Sequence, residues 1–157
     1  MPKFTRMTVQ ASEISLERNL SYKLSLLTFF MGKASYDIYT SRGLTNGQWK
    51  VLSVLVAFGP MAAVELGKHL TLDKAAISRA VRQLRELGLT DNRDRVDDGR
   101  SVEVLVTTKG RRTYAAMNEE MVELQRRLFA DVSREHEQAF FRVTETLLAN
   151  LREMTGA

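Results

Sequence analysis

Cysteine is absent from this chain, and histidine is scarce: only two occur in 157 residues, beside a single tryptophan. Without cysteine there are no disulfides, no thiolate nucleophiles and no thiol-based redox switch. His69 and His136 stand far apart. Arg134-Glu135-His136-Glu137 lacks the second ring of a zinc-hydrolase helix, so both histidines read as surface or structural groups and no metal site is expected. The Gly-rich phosphate cradle that ends in Gly-Lys-Ser/Thr is missing, as is Gly-x-Ser-x-Gly. Nothing therefore nominates a catalytic residue, and no cofactor is expected. Apolar runs are short as well. None approaches the ~20 residues of a membrane helix, and the opening MPKFTRMTVQ lacks a signal peptide's apolar stretch. The expectation is a cytoplasmic protein that does not engage membranes.

What is present suits one globular domain with a substantial core, since 44% of the residues are hydrophobic. The formal net charge of +4 is modest, but it is unevenly placed. Between Lys74 and Arg112 ten cations face six carboxylates, whereas residues 113–157 hold five cations and eight acids. A basic middle and an acidic tail fit a module that binds a polyanion, attached to a scaffold. For any one of these residues taken alone, a solvated charged surface is the better explanation.

Residues 1–11 contain Pro2 and no periodicity, which reads as a loose arm. A long helix is expected from residue 12 to 42, capped by Ser12 or Ser15, with Leu16, Leu20, Leu24, Leu27, Met31, Ala34 and Ile38 on one seam. Leu26, Phe29 and Phe30 widen its apolar surface beyond what one-sided packing needs, and a partner subunit is the natural cover. Gly43 ends this helix. Thr45 and Gln48 form a capping box for the next, a core helix rich in Trp49, Val51, Leu52, Leu55 and Val56 that stops at Gly59-Pro60. Ala63 to Leu70 is expected to form a short helix with Val64, Leu66 and Leu70 inward. Beyond residue 107, Thr107 or Thr108 caps a long helix carrying Tyr114, Met117, Met121, Leu124 and Leu128. Asp131 or Ser133 opens a last one carrying Phe140, Val143, Leu147, Leu151 and Met154. These stripes predict a helical dimerisation region, with an intramolecular bundle as the alternative.

The stretch from Thr71 to Thr107 organises the rest. Asp73 is a good N-cap, and Ile77, Val81, Leu84 and Leu87 recur as one buried stripe that Gly88 closes. Lys74, Ala75, Ser78, Arg79 and Arg82 are left outward, and small residues, Ala76 among them, cluster at the N-terminal end. Such a helix end can press into a groove of DNA. The period then changes: Leu89 to Arg95 and the alternating Val102, Val104 and Val106 read as two strands, with Asp97-Asp98-Gly99 as their turn. The short helix, the Asp73 helix and this hairpin together make a winged helix-turn-helix.

The run from Asp98 through Arg100, Val104, Val106 and Thr107 to Gly110 resembles the D-x-R-x-x-x-V-x-(V/L)-T-x-x-G wing signature of the MarR family of bacterial transcription regulators. Ala76-Ile77-Ser78-Arg79, Leu84, Leu87-Gly88-Leu89 and Arg93 fit that family's recognition helix, and the likeness extends over about residues 12–155. The wing signature is its most specific part. The resemblance implies a mainly α fold with a small β wing: a winged region over 43–110, and a dimerisation region built from the first helix and from residues 111–157. It also implies a homodimeric regulator of double-stranded DNA, usually a repressor. Lys74, Ala75, Ala76, Ser78, Arg79 and Arg82 would lie at the DNA, Arg95 and Arg100 would reach it from the wing, and Asp98 would brace a wing arginine. In that family a cleft between the lobes binds small aromatic acids or related compounds, and binding loosens the protein from DNA. Phe29, Tyr36, Tyr39 and Trp49 are the candidate effector residues here, with Arg18, Lys23 or Lys33 as the cation for an aromatic acid or a conjugate of one. The peroxide-sensing branch is excluded as far as it works through cysteine. Two other readings stand beside this one, a winged-helix module for protein contact or non-specific nucleoid binding, and a small helical enzyme.

Overall fold

The computed structural model describes residues 15–94 and 102–156. A 3₁₀ turn at Leu16–Arg18 leads into six helices and three strands: α1 (Leu20–Thr40), α2 (Asn46–Phe58), β1 (Met61–Ala62), α3 (Ala63–Leu66), α4 (Lys74–Glu86), β2 (Thr90–Asp94), β3 (Val102–Val106), α5 (Thr108–Leu128) and α6 (Arg134–Thr155). The architecture is mainly helical with a small antiparallel sheet, as the wing pattern implies. The chain divides into two compact units, one ending at Asp37 and one beginning at Ile38.

In the first unit the helix starts later than its apolar spacing predicts. Ser15 precedes only the 3₁₀ turn and makes no side-chain cap. Asn19 caps α1 instead, its Oδ1 accepting from the Tyr22 backbone N–H at 2.9 Å. Leu16 is therefore not part of the α-helical seam, and Ser12 lies outside the described residues. Along α1, Leu20, Leu24, Leu27, Phe29 and Phe30 are all exposed.

The second unit holds the core. Thr45 and Gln48 form the expected capping box at the start of α2: Thr45 N–H donates to Gln48 Oε1 at 2.7 Å, and Gln48 N–H donates back to Thr45 Oγ1 at 3.3 Å. Val51, Leu52 and Leu55 from α2 meet Leu66, Ile77, Leu84, Leu89, Val104, Val106 and Met117, all buried. Helix α3 is shorter than its sequence suggests. It ends at Leu66, and of the three residues expected inward Val64 is 74% exposed, because a single turn can present only one side to the core. Glu65 fastens its start by accepting from Ala62 N–H at 2.7 Å.

Strands run in the order β1-β3-β2, both pairs antiparallel. Thr90 faces Val106 and Asp94 faces Val102, which fixes the hairpin register, while Met61 faces Val104. The two-residue β1 has no alternation of its own to betray it in sequence; it exists only as a pairing with β3. Val104 and Val106 are buried as expected, but Val102 is half exposed where the hairpin leaves the core. The turn at Asp97-Asp98-Gly99 lies outside the described residues.

Helix α4 has the cap and closure its sequence calls for. Asp73 Oδ1 accepts from Ala76 N–H at 2.7 Å, and at the other end Gly88 takes φ +69°, with Leu89 N–H donating to Leu84 O at 2.9 Å. Only glycine adopts that φ without strain. Asp73→Ala is expected to lower stability by about 1 kcal/mol, read from urea melts; a change within ~0.3 kcal/mol would mean that the cap does not hold this helix.

Candidate nucleic-acid interface

The two faces of α4 are chemically separate. Ile77, Ala80 and Leu84 are buried, with Val81 beside them, whereas Lys74, Ala75, Ser78, Arg79 and Arg82 are left outward and Ala76 is half-buried. Leu87, expected on the buried stripe, is 39% exposed, because it is the C-cap where the helix is already turning away. The outward face thus offers three cations, a hydroxyl and small side chains at the helix N-terminus. Arg82 meets Glu86 only loosely, at 3.8 Å with both side chains mostly in solvent. An ion pair of that kind is weak and leaves the guanidinium free to turn to a phosphate.

Contacts behind this face hold it rigid. Gln48, 4% exposed, donates from Nε2 to Gln83 Oε1 at 3.1 Å, tying α2 to α4. The end of α4 is clasped by the start of α5. Thr107 Oγ1 donates to Gly88 O at 2.8 Å, Thr107 N–H donates to Leu89 O at 3.0 Å, and Lys109 Nζ donates to Leu87 O at 2.8 Å. Gly110 N–H donates to Thr107 Oγ1 at 3.0 Å, so one threonine both caps α5 and anchors the carbonyl end of α4. The clasp satisfies carbonyls that a helix C-terminus otherwise leaves open. Lys109 in particular was not legible as a contact. Its only sequence signal is its place in Thr-x-x-Gly.

At the base of the hairpin, Arg93 and Glu103 are directly opposed in register and paired at 2.9 Å, Glu103 being largely shielded. That pair stiffens β2 against β3 and directs Arg93 toward its neighbour. Arg95, Asp98 and Arg100, expected to reach DNA from the wing, lie outside the described residues.

The four aromatic residues nominated for an effector fall into different surroundings. Phe29 and Tyr36 belong to the first unit and are 56% and 59% exposed, with the Lys33 ammonium 5.0 Å from the Phe29 ring centre. Tyr39 is buried at 5% exposure in the core of the second unit. Trp49 packs against that core and stacks on Tyr114, ring centres 5.0 Å apart and planes 12° from parallel. Tyr114 carries no cue in sequence beyond its place on the α5 stripe.

The histidines are accounted for locally. His69 stacks on Phe58 at 4.5 Å, and His136 Nδ1 lies 3.0 Å from the Ser133 cap hydroxyl. Among the described residues no three His, Cys, Asp or Glu side chains gather as a metal site would require. Among the described residues, the shifts in ionisation that stand out belong to one exposed pair on α5. The Arg126 hydrogen bond holds the Glu123 carboxyl below its ordinary value, and the same bond raises Arg126. Among the described residues no helix is long and apolar enough to cross a membrane.

The MarR family model matches residues 44–102, the segment from the start of α2 to β3. A crystal structure of a MarR-family transcriptional regulator from Silicibacter pomeroyi superposes with a TM-score of 0.74 at 29% identity, over 88% of this chain and 94% of that one. The chain is thus similar to MarR-family transcription regulators, both in the segment that the family model matches and in its fold. Its curated relatives agree. The HTH-type transcriptional regulator YwoH of Bacillus subtilis is 26% identical over 125 residues, 80% of this chain and 90% of the relative. The HTH-type transcriptional repressor IacR of Pseudomonas putida is 28% identical over 107 residues, 68% of this chain and 64% of the relative. On these likenesses the chain is a DNA-binding transcription regulator and not an enzyme, and α4 lies inside the segment that the family model matches.

Proposed function

We propose that the protein is a homodimeric, ligand-responsive repressor that binds a pseudo-palindromic operator. The observation that carries this reading is the division of α4 into a buried stripe and an outward face bearing Lys74, Ala75, Ser78, Arg79 and Arg82. Small residues at the helix start allow close approach to base edges, and the cations beyond them meet phosphates. Arg95 and Arg100 are proposed to extend the footprint from the wing, with Asp98 bracing a wing arginine. The repressor assignment leans on the likeness to IacR.

Homodimerisation is supported by the uncovered stripes of α1 and α6. No residue of α6 is buried within the chain. Two α4 helices can read successive major-groove faces only when a dimer holds them about 34–36 Å apart. The domain division we propose has α1 as the first dimerisation helix, a winged region over 43–110 and the remaining dimerisation helices over 111–157.

The effector is proposed to be a small aromatic acid or a conjugate of one. Phe29 and Tyr36 offer exposed rings, and Lys33 supplies a cation already poised at one of them. Tyr39 and Trp49 would enter this reading through the packing they support. Operator release by benzoate-like acids, and its loss in Tyr36→Ala with the fold intact, is the expected result; release by neutral aromatics alone would remove the acid class.

Selection of bound sequences from a random duplex pool tests the central reading. The expected product is an inverted repeat bound ~10³-fold or more tighter than random duplex. Recovery of no preferred sequence would overturn sequence-specific regulation. Within the same assay, Arg79→Ala is expected to cost about 1–3 kcal/mol and to relax preference at one position per half-site. A uniform loss over all sequences would mark Arg79 as a phosphate contact instead.

A further inference from the structure

Beside the clasp, the second unit has a cavity of about 390 Å³, whose lining includes Arg42, Lys109, Arg112 and Thr113 together with Leu87 and Leu89. That volume is within the range of small-molecule sites. Its lining contains three cations and no carboxylate. Arg42 is already committed: one guanidinium nitrogen pairs with Glu120, and the other donates to Ile38 O at 3.0 Å. Lys109 spends one of its three N–H donors on Leu87 O. The Arg112 side chain has no hydrogen bond or ion pair among the described residues.

With Glu120 set against Arg42, two positive charges are left uncompensated at one cavity. A phosphomonoester carries about −1.5 to −2 at neutral pH and presents three acceptor oxygens, which a carboxylate's single charge and two oxygens do not match. The guanidinium fork of Arg112 and the two spare donors of Lys109 suit those oxygens. Leu87 and Leu89 supply apolar contact for a carbon body. We infer that this cavity binds a small organic phosphomonoester, with its dianionic head between Lys109 and Arg112.

Because Lys109 keeps one donor on Leu87 O while offering two to the ligand, occupancy and the clasp coexist. Ligand binding then stabilises the join between α4 and α5. The inference draws on none of the aromatic residues assigned to the effector, and it is tested on the free protein, so its outcome does not depend on finding an operator.

The experiment is calorimetric titration of the full chain with phenyl phosphate, inorganic phosphate and benzoate at fixed ionic strength, on the parent and on Arg112→Gln. Arg112 is exposed and makes no contact the fold needs, so the variant is expected to melt with the parent in the absence of ligand. Phenyl phosphate should bind once per chain, at least ~10-fold tighter than either other probe, raise the melting temperature, and lose ~10-fold or more in Arg112→Gln. Equal affinity for phenyl phosphate and benzoate, equal affinity for inorganic phosphate, or binding unchanged in Arg112→Gln would each overturn the inference. So would a weaker grip of Arg112→Gln on duplex DNA with a salt slope shallower by about 1, since Arg112 would then belong to the DNA footprint.

Discussion

Gly110→Ala is expected to destabilise the winged unit more than any other single-methyl change, by about 3 kcal/mol or more. A Cβ built on Gly110 would stand 2.0 Å from Leu89 O and 2.8 Å from Val106 Cγ1. The first distance is more than ~1 Å inside van der Waals contact, and the obstacle is backbone, so no rotamer relieves it. Moving Leu89 O away would break its bond from Thr107 N–H and strain that from Thr107 Oγ1, at 3.0 and 3.2 Å. Alanine does improve helix propensity over glycine, by about 1 kcal/mol. That gain is smaller than the cost of prying the clasp apart, so the clash decides the sign. Urea melts of the variant should show a midpoint well below the parent's, with thermal unfolding lower by roughly 10 °C. A variant within ~1 kcal/mol of the parent would show that α5 can shift its start without loss. The clasp would then not be what fixes the carbonyl end of α4.

The parts of this fold legible in sequence are those that local chemistry specifies. Asp73 before α4, the Thr45/Gln48 box before α2, Thr107 before α5 and Ser133 before α6 all cap as their residue types require. The outward position of Lys74, Ser78, Arg79 and Arg82 followed from the same helical period that buried Ile77 and Leu84. Features set by distant contacts were not legible. β1 is defined only by its partner strand, whereas the Asn19 cap of α1, made to Tyr22 three residues on, is local chemistry that the longer apolar spacing outweighed. Tyr39 is spent on the core, although its hydroxyl made it look available. The role of Lys109 depends on a carbonyl twenty-two residues away, which no periodicity reports. The arginines around the wing turn lie outside the described residues.

On the proposed homodimer, charging the apolar stripe of α6 is expected to have the largest effect on DNA binding, because it would remove two-fold engagement and not one contact. Phe140, Phe141, Val143, Leu147, Leu148, Leu151 and Met154 are all exposed along this helix, and Leu20, Leu24 and Leu27 are exposed along α1. Monomeric soluble proteins rarely leave apolar surface of that extent open to water. Combining Leu147→Glu with Leu151→Glu puts two like charges on the stripe, and burying them in a symmetric contact would bring four carboxylates together across the two-fold axis. The core of the winged unit does not draw on α6, since Leu52, Leu84 and Met117 are buried by other elements. This double variant should therefore sediment as a monomer while the fluorescence of Trp49, stacked on Tyr114 against that core, keeps its folded signal. Operator affinity should fall by ~100-fold or more, because each half-site is then held alone, without the effective concentration that linkage provides. Binding to random duplex should fall far less. A double variant that remains dimeric would place the interface elsewhere, and a monomer that binds the operator as tightly as the parent would end the homodimer reading.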